Sequence, residues 1–351
     1  MNKIKGIITN YRNCVISGVC IILACILALV SGNMEKSLSS QNIARRWSSK
    51  EDFTEVSVFF SREAHISKNA LGGVRNHIRS TMVDSVDLDE YQGRYYIDTY
   101  ATQNTVSLCT DKVTMEVRGF GVGGDFFLFH PIELIDGNYF DEATDSNLDG
   151  VVIDENLAWK LFGAKDVAGM TVSIGDRCYV IRGVVKQDDG LFSEAVEETI
   201  PTVYMQYSVM NELFGGELYI DSYEALIADP VRDFALNTVN EAVSEAIGVD
   251  EKDYNIIENS KRFTVGYKIK HLKTMFLDSM NLKNICLPYW ENKARGVEQI
   301  TLRLFILCMI LMVYPVIYIS YRLIKLISYT YKKYITTPMD RIKDKIASIF
   351  S

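Results

Sequence analysis

Two long uncharged stretches constrain this chain more than any other feature. Residues 14–32 (CVISGVCIILACILALVSG) run nineteen positions without a charge, and residues 304–321 (LFILCMILMVYPVIYISY) run eighteen. As helices rising about 1.5 Å per residue, each crosses roughly 27 Å, close to the hydrocarbon thickness of a bilayer. Both are read as transmembrane helices, over 14–32 and 301–322. A cleaved signal peptide also has a short basic flank, but its apolar core is usually about 7 to 15 residues and ends at a small-residue cleavage site. The first run is longer than that and is followed by no clear A-x-A site. Pro315 in the second run predicts a kink, because it frees a backbone carbonyl.

Charge follows the same division. The net charge is -8, yet residues 1–13 carry Lys3, Lys5 and Arg12 with no acid, and residues 322–351 carry seven basic side chains against Asp340 and Asp344. The ends are therefore +3 and +5, which leaves -16 for residues 14–321. Basic flanks stay on the cytoplasmic side of a membrane. The expected topology is a cytoplasmic N-terminus (1–13), an extracytoplasmic domain (33–300) and a cytoplasmic tail (323–351), all at a bacterial-type cell membrane. An acidic domain has no basic surplus to neutralise phosphates, so nucleic acid is excluded as a partner. An apolar content of 48% excludes disorder, and six prolines and seven cysteines exclude collagen-like and cysteine-dense scaffolds. Only Cys109, Cys178 and Cys286 lie outside the spans, so at most one disulfide can form there, and three buried or reduced thiols are the simpler expectation.

Within the exterior part, residues 55–60 (EVSVFF) read as a strand, and a helix is expected over about 63–84 with Leu71, Val74, Ile78 and Met82 on one face. Strands follow near 95–101 and 113–119. Asp154 can cap a helix over 155–162 that Gly163 closes, and residues 170–174 with 178–185 form a hairpin turning at Gly175. Further strands are expected over 201–206, 223–228 and 254–258. Between the last two, Asp229 and Pro230 open a helix carrying Leu236, Val239, Val243 and Ile247 and ending at Gly248. The pattern is α+β: a β-α-β lobe (about 50–105 and 220–260) interrupted by a β-rich lobe (about 106–215), then a helical stalk (261–300).

Residues 119–186 contain ordered motifs: Gly121 and Val122 with Phe126 and Phe127; Leu134, Gly137 and Phe140; the L-F-G at 161–163; Gly169, Val172, Ile174 and Gly175; and Tyr179, Ile181, Gly183 and Val184. This order resembles the periplasmic core domain of MacB-type and FtsX-type ABC transporter permeases, and GNMEKSL after the first span extends the resemblance loosely. It implies a two-lobed MacB-like extracytoplasmic domain between two transmembrane helices, in an assembly that couples cytoplasmic ATP hydrolysis to movement outside. Such permeases normally carry two more spans, whereas this sequence runs about thirty residues past its second. It also has no G-x-x-x-x-G-K-[ST], so separate ABC ATPase and permease chains are the expected partners.

Other motifs carry less. Gly119–Gly124 satisfies G-x-G-x-x-G, but the DFFLFHPIEL that follows opens no amphipathic helix to bind a pyrophosphate. Asp145, Asn147 and Asp149 begin a calcium-loop pattern, yet its ninth and twelfth positions are Ile153 and Asn156, so an acidic turn is the expectation and no metal is assigned. His65, His77, His130 and His271 stand apart, and no G-x-S-x-G elbow occurs. No catalytic residue and no cofactor are expected, and the chain is not read as an enzyme.

In the tail, Thr337 and Pro338 open a helix with Met339, Ile342, Ile346 and Ile349 on one face and Arg341, Lys343 and Lys345 on another. That helix can lie on the inner leaflet or dock a cytoplasmic ATPase or permease partner. TTPMDRIKDKI is also similar to the start of a HAMP linker in two-span receptors. The expected function is a non-catalytic membrane subunit of an ABC-type export or mechanotransmission complex, whose exterior domain engages a substrate, peptide or envelope protein. The alternative is a two-span sensor or binding protein signalling through its tail.

Overall fold

A computed structural model describes residues 2–48, 53–87, 91, 95–140, 149–187, 200–270, 272, 285–332, 334 and 339. The chain forms two units, Lys36–Gln299 and the pair of terminal segments Met1–Glu35 with Ile300–Ser351.

Helix α1 (Asn2–Lys36) belongs to the terminal segments, and the Lys36–Gln299 unit opens with a short helix α2 (Ile43–Trp47) and strand β1 (Phe53–Phe60). Helix α3 (Lys68–Ser85) starts later than the sequence predicts. A 3-10 turn occupies Arg62–Ala64, His65 takes a left-handed conformation (φ 50°), and Ser67 caps by accepting from the Ala70 amide at 3.2 Å. The predicted face is the buried one: Leu71, Val74, Ile78 and Met82. Strands β2 (Tyr96–Cys109) and β3 (Thr114–Gly124) run further than predicted, and Gly119, Gly121, Gly123 and Gly124 lie inside β3. A Cβ on Gly121 would come within 2.9 Å of Met210 Sδ, and one on Gly123 would overlap the Tyr100 ring. The glycine motif thus serves close packing on a strand, not a phosphate.

Helix α4 (Phe126–Phe129), β4 (Leu134–Gly137) and β5 (Gly150–Asp154) follow. Helix α5 (Glu155–Phe162) has the predicted bounds, with Asp154 Oδ1 accepting from the Leu157 amide at 2.7 Å and Gly163 left-handed at φ 71°. The hairpin is β6 (Thr171–Ile174) and β7 (Arg177–Val185), turning at Gly175 with φ 58°. Next come β8 (Thr202–Gln206), α6 (Tyr207–Leu213) and β9 (Ser222–Ala228). Helix α7 (Phe234–Ile247) begins after the predicted Pro230, yet Asp229 still satisfies its first turn by accepting from the Ala235 amide at 3.0 Å. Strand β10 (Tyr254–Glu258) closes the order before α8 (Val265–Lys270) and α9 (Tyr289–Tyr331).

The ten strands among the described residues join one sheet in the order β10-β1-β9-β2-β3-β8-β5-β7-β4, and β6 pairs with both β2 and β7. The pairs β3·β8 and β5·β7 are parallel; the others are antiparallel. Pairing through β6 closes β2, β3, β8, β5, β7 and β6 into a ring, while β10, β1 and β9 extend from β2. This is the two-lobed α+β arrangement, with β2 shared between the lobes. The extension packs Val56, Val58, Phe60, Tyr223 and Ile227 against α3 and α7. The ring packs Val151, Ile153, Ile181, Val203 and Met205 with α5 and α6. A third, aromatic cluster joins Phe120, Phe126 and Tyr204 to Tyr289 and Trp290 at the start of α9.

Of the region expected to form a stalk, 261–300, residues 271 and 273–284 lie outside the described residues, and several of the others are buried. Arg262 is buried after a 3-10 turn at Asn259–Lys261, Ile285 bridges to Ser61, and Tyr289, Trp290, Glu291, Ala294 and Val297 are buried in the first turns of α9. These turns form a wall of the domain, because their aromatic and acidic side chains find partners on the sheet.

Among the described residues, Tyr11–Lys36 and Tyr289–Tyr331 mark two helices long and apolar enough to cross a membrane. Apolar side chains such as Ile22, Leu29, Ile310, Ile317 and Ile324 are exposed, as on helices that face lipid. Cys308 Sγ lies 3.5 Å from the Ala24 carbonyl oxygen, and Pro315 falls inside α9.

Candidate functional site

The segments that enter and leave the domain meet at its most heavily charged interior. Arg262 is buried and directs its guanidinium at α9: Nη1 and Nη2 donate to Glu291 Oε2 and Oε1 at 2.8 and 2.9 Å, and Nε donates to Glu298 Oε2 at 2.8 Å. Nη1 also donates to Gln41 Oε1 at 3.3 Å, just before α2. Arg295, one turn after Glu291, donates from Nε to Glu291 Oε1 at 2.7 Å. Two guanidiniums thus face two carboxylates, and the fork-to-fork pairing of Arg262 with Glu291 is the strongest geometry such groups adopt. Burial opposes the charge on Arg262, but Glu291 and Glu298 outweigh it and hold its pKa above the usual value.

A second buried cluster lies on the sheet face opposite α3 and α7. Glu55 on β1 and Glu224 on β9 share that face, since Glu224 pairs directly with Ser57. Asn259 Nδ2 donates to Glu55 Oε1 at 3.1 Å and to Ser57 Oγ at 2.7 Å, and Trp290 Nε1 donates to Glu224 Oε1 at 2.8 Å. His130 Nε2 stands 3.1 Å from Glu224 Oε2, but neither atom is aligned for a hydrogen bond. Burial, then the neighbouring Glu224 charge, pushes the Glu55 carboxyl up to about 8, with the Asn259 bond opposing. The nearby Arg46 relieves it only weakly, because its N–H groups go to the carbonyls of Ser39, Leu128 and Phe129.

Between the aromatic cluster and the strand ends of β5, β7 and β8 lies a cavity of about 220 Å³. Its walls include Tyr204, Tyr289 and Trp290, its rim includes Lys186 and Lys293, and Ser37, Ser39 and Ser40 border it from the segment after α1. Asp154 at its floor accepts from the Leu157 and Thr202 amides, and burial raises its pKa to about 6 against those bonds.

The sites the sequence singles out are elsewhere. Asp145 and Asn147 lie outside the described residues; Asp149 sits in a turn before β5. Among the described residues no group of three His, Cys, Asp or Glu side chains could hold a metal. Met339 is helical and exposed, while Ile342, Ile346 and Ile349 lie outside the described residues. Cys109, Cys178 and Cys286 are thiols rather than disulfide partners.

The family model described as "MacB-like periplasmic core domain" matches residues 15–244, most of the chain. The chain belongs to this family. Among curated relatives, the MacB-like chain is 25% identical over 153 residues to the macrolide export ATP-binding/permease protein MacB of Neisseria gonorrhoeae, covering 43% of this chain and 23% of the relative. It is 28% identical over 149 residues to the protein of the same name from Agrobacterium fabrum, covering 41% and 22%. The chain thus spans less than a quarter of the length of these relatives. Among solved structures, the periplasmic region of MacB from Actinobacillus actinomycetemcomitans aligns with a TM-score of 0.44 at 21% identity, covering 62% of this chain and 92% of that one. The extracellular domain of the noncanonic ABC-type transporter YknZ from Gram-positive bacteria aligns with a TM-score of 0.39 at 15% identity, covering 58% and 100%.

Proposed function

We propose that this MacB-like chain is a non-catalytic membrane subunit of an ABC-type export or mechanotransmission complex. Both termini are cytoplasmic, residues 33–300 are extracytoplasmic, and separate ATPase and permease chains supply the motor. The observation that carries this reading is the Arg262 network. It ties Gln41, a few residues past the end of α1, to Glu291 and Glu298 in the opening turns of α9. In this reading the segment that enters the domain and the segment that leaves it share one buried network of side chains, so movement of either reaches the other. Side-chain packing with Tyr289 and Trp290 in the aromatic cluster stiffens the same joint. The extracytoplasmic domain engages a substrate, peptide or envelope protein that this movement acts on.

The test is isolation of the native assembly in mild detergent. An ATPase chain and a permease chain accompany the protein if the reading holds. Recovery of the protein without an ATPase, or with a kinase or other signalling chain instead, overturns it in favour of a sensor.

A further inference from the structure

Three exposed aliphatic side chains stand at the end of the sheet toward which α9 runs. Val231 (66% exposed) lies in the turn after β9, and Val265 and Ile269 (58% and 60%) share one face of α8. Single exposed apolar side chains are ordinary, but here two separate segments present them around one joint. Lys261, which precedes α8, donates from Nζ to Asp233 Oδ1 at 2.9 Å. Asp233 has a left-handed backbone (φ 62°), and the Val231 carbonyl accepts from the Phe234 amide at 3.0 Å, so the turn that carries Val231 is fixed at both ends. Lys261, then Arg232 and Lys270, hold the Asp233 carboxyl below its ordinary range, which places Lys270 beside the same turn. Strand register identifies the end of the sheet: Phe53 opens β1 opposite Ala228, the last residue of β9, and Val56 pairs with Glu258, the last of β10. Helix α9 runs toward it, since Trp290 Nε1 donates to Glu224 Oε1 inside β9, whereas Glu298 accepts from Arg262 just beyond β10. Tyr267 of α8 lies near Glu298, because burial and then the Glu298 charge push its phenol up.

We infer that Val231, Val265 and Ile269 seat in the lipid leaflet next to the domain, with Arg232 and Lys270 at the level of the lipid phosphates. The uncharged run of α9 begins at Leu304, six residues past Glu298 and so about 9 Å further along the helix. The headgroup layer is roughly 5–7 Å deep on each side of the hydrocarbon, so the exposed face of α8 comes within reach of it. An amphipathic helix buries its apolar face at the boundary of headgroups and chains in this way, and basic side chains add attraction to anionic lipids. The domain then rests on the membrane surface through α8 and the turn after β9. This inference rests on α9 crossing the bilayer over residues 304–321, so its test reads that helix separately.

The full chain is placed in nanodiscs of phosphatidylcholine and phosphatidylglycerol whose lipids carry a nitroxide quencher, either near the glycerol backbone or near the chain end. Tryptophan emission above that of the parent is read for single variants at exposed positions, where substitution leaves the fold intact. Ile269→Trp and Val231→Trp lose emission to the shallow nitroxide and not to the deep one. Val313→Trp, within the uncharged run of α9 and 55% exposed, loses emission to the deep nitroxide. Tyr219→Trp, before β9 at the opposite end of the sheet and about 20 Å away along that strand, keeps its emission with both. Adding Val231→Ser and Val265→Ser to the Ile269→Trp chain reduces its shallow quenching, because two of the three apolar anchors are gone. Shallow quenching at only one of Ile269→Trp and Val231→Trp, or at neither, while Val313→Trp is quenched, overturns this inference alone; quenching at neither is the result expected if a protein partner covers the face instead. Equal shallow quenching at Tyr219→Trp, or quenching unchanged by the serine substitutions, overturns it as well. No quenching at Val313→Trp overturns the span and this inference with it.

Discussion

Two of the buried charge clusters beside the start of α9 are neutralised by different means. Around Arg262, opposite charges cancel: two guanidiniums meet Glu291 and Glu298. Around Glu55, two carboxylates meet an amide, an indole and an imidazole, and a proton on Glu55 does the cancelling. Taking an ion out of water costs several kcal/mol, so each cluster must be matched in some way. A cluster matched by fixed charges resists pH and fails when one member is removed. A cluster matched by a proton follows pH and tolerates a neutral substitute. The first gives a joint whose stability varies little with pH; the second gives the neighbouring sheet face a pH-dependent stability.

The largest expected effect comes from breaking the first cluster. Arg262→Ala leaves Glu291 and Glu298 buried without their main cation, and losing one partner of a buried pair costs about 3–5 kcal/mol. Denaturant unfolding of the full chain in detergent measures this. The double variant Arg262→Met with Glu291→Met recovers most of the loss, because apolar groups of similar volume replace a buried pair with little penalty. If Arg262→Ala stays within about 1 kcal/mol of the parent, the network does not hold α9 to the domain.

Breaking the second cluster gives a smaller, pH-dependent effect. The folded-state pKa of Glu55 is about 8, above its ordinary value of 4.5, so the folded chain retains a proton that the unfolded chain has released. The stabilisation is complete below the unfolded value and is lost as pH rises through the folded one. Between roughly pH 5 and 8 stability therefore falls with a slope of at most about 1.4 kcal/mol per pH unit, and it levels off above that. Glu55→Gln, which mimics the protonated form, flattens this slope and is relatively most stable near pH 8. Parallel pH profiles for the parent and the variant would place the proton elsewhere.

Much of the fold was legible because its signals are local. Asp154 and Gly163 bound α5 as predicted, since a cap and a left-handed stop act within one or two turns. The family resemblance lay in turn glycines and core residues of the same stretch. The lengths of β2 and β3 were not legible, because the glycines of β3 answer to Tyr100 and Met210, which only the folded sheet brings near. The candidate site was missed for the same reason. Gln41, Arg262 and Glu291 are far apart in sequence, and Glu291, Arg295 and Glu298 at spacings of four and three read as an ordinary solvated helix face. One signal was available: Glu55 and Glu224 are single acids inside otherwise apolar or neutral strands, FTEVSVFF and SYEALIA, where an acid must find a buried partner or a proton.

The smallest effect sharpens the comparison most. Arg295 donates to Glu291 Oε1 at 2.7 Å with its side chain 11% exposed, so by charge count it equals Arg262. Its geometry does not: Glu291 keeps both bonds from Arg262 when Arg295 is removed, and Arg295 makes a pair spaced four residues apart on one helix. Arg295→Gln is expected to cost about 1 kcal/mol, more than the few tenths of an exposed pair at this spacing because Glu291 is buried. If matching by total charge governed the first cluster, Arg295→Gln and Arg262→Gln would destabilise equally. A ratio of about three or more in favour of Arg262 on the same unfolding curves shows that the cluster is organised by the forked guanidinium and not by the sum of its charges.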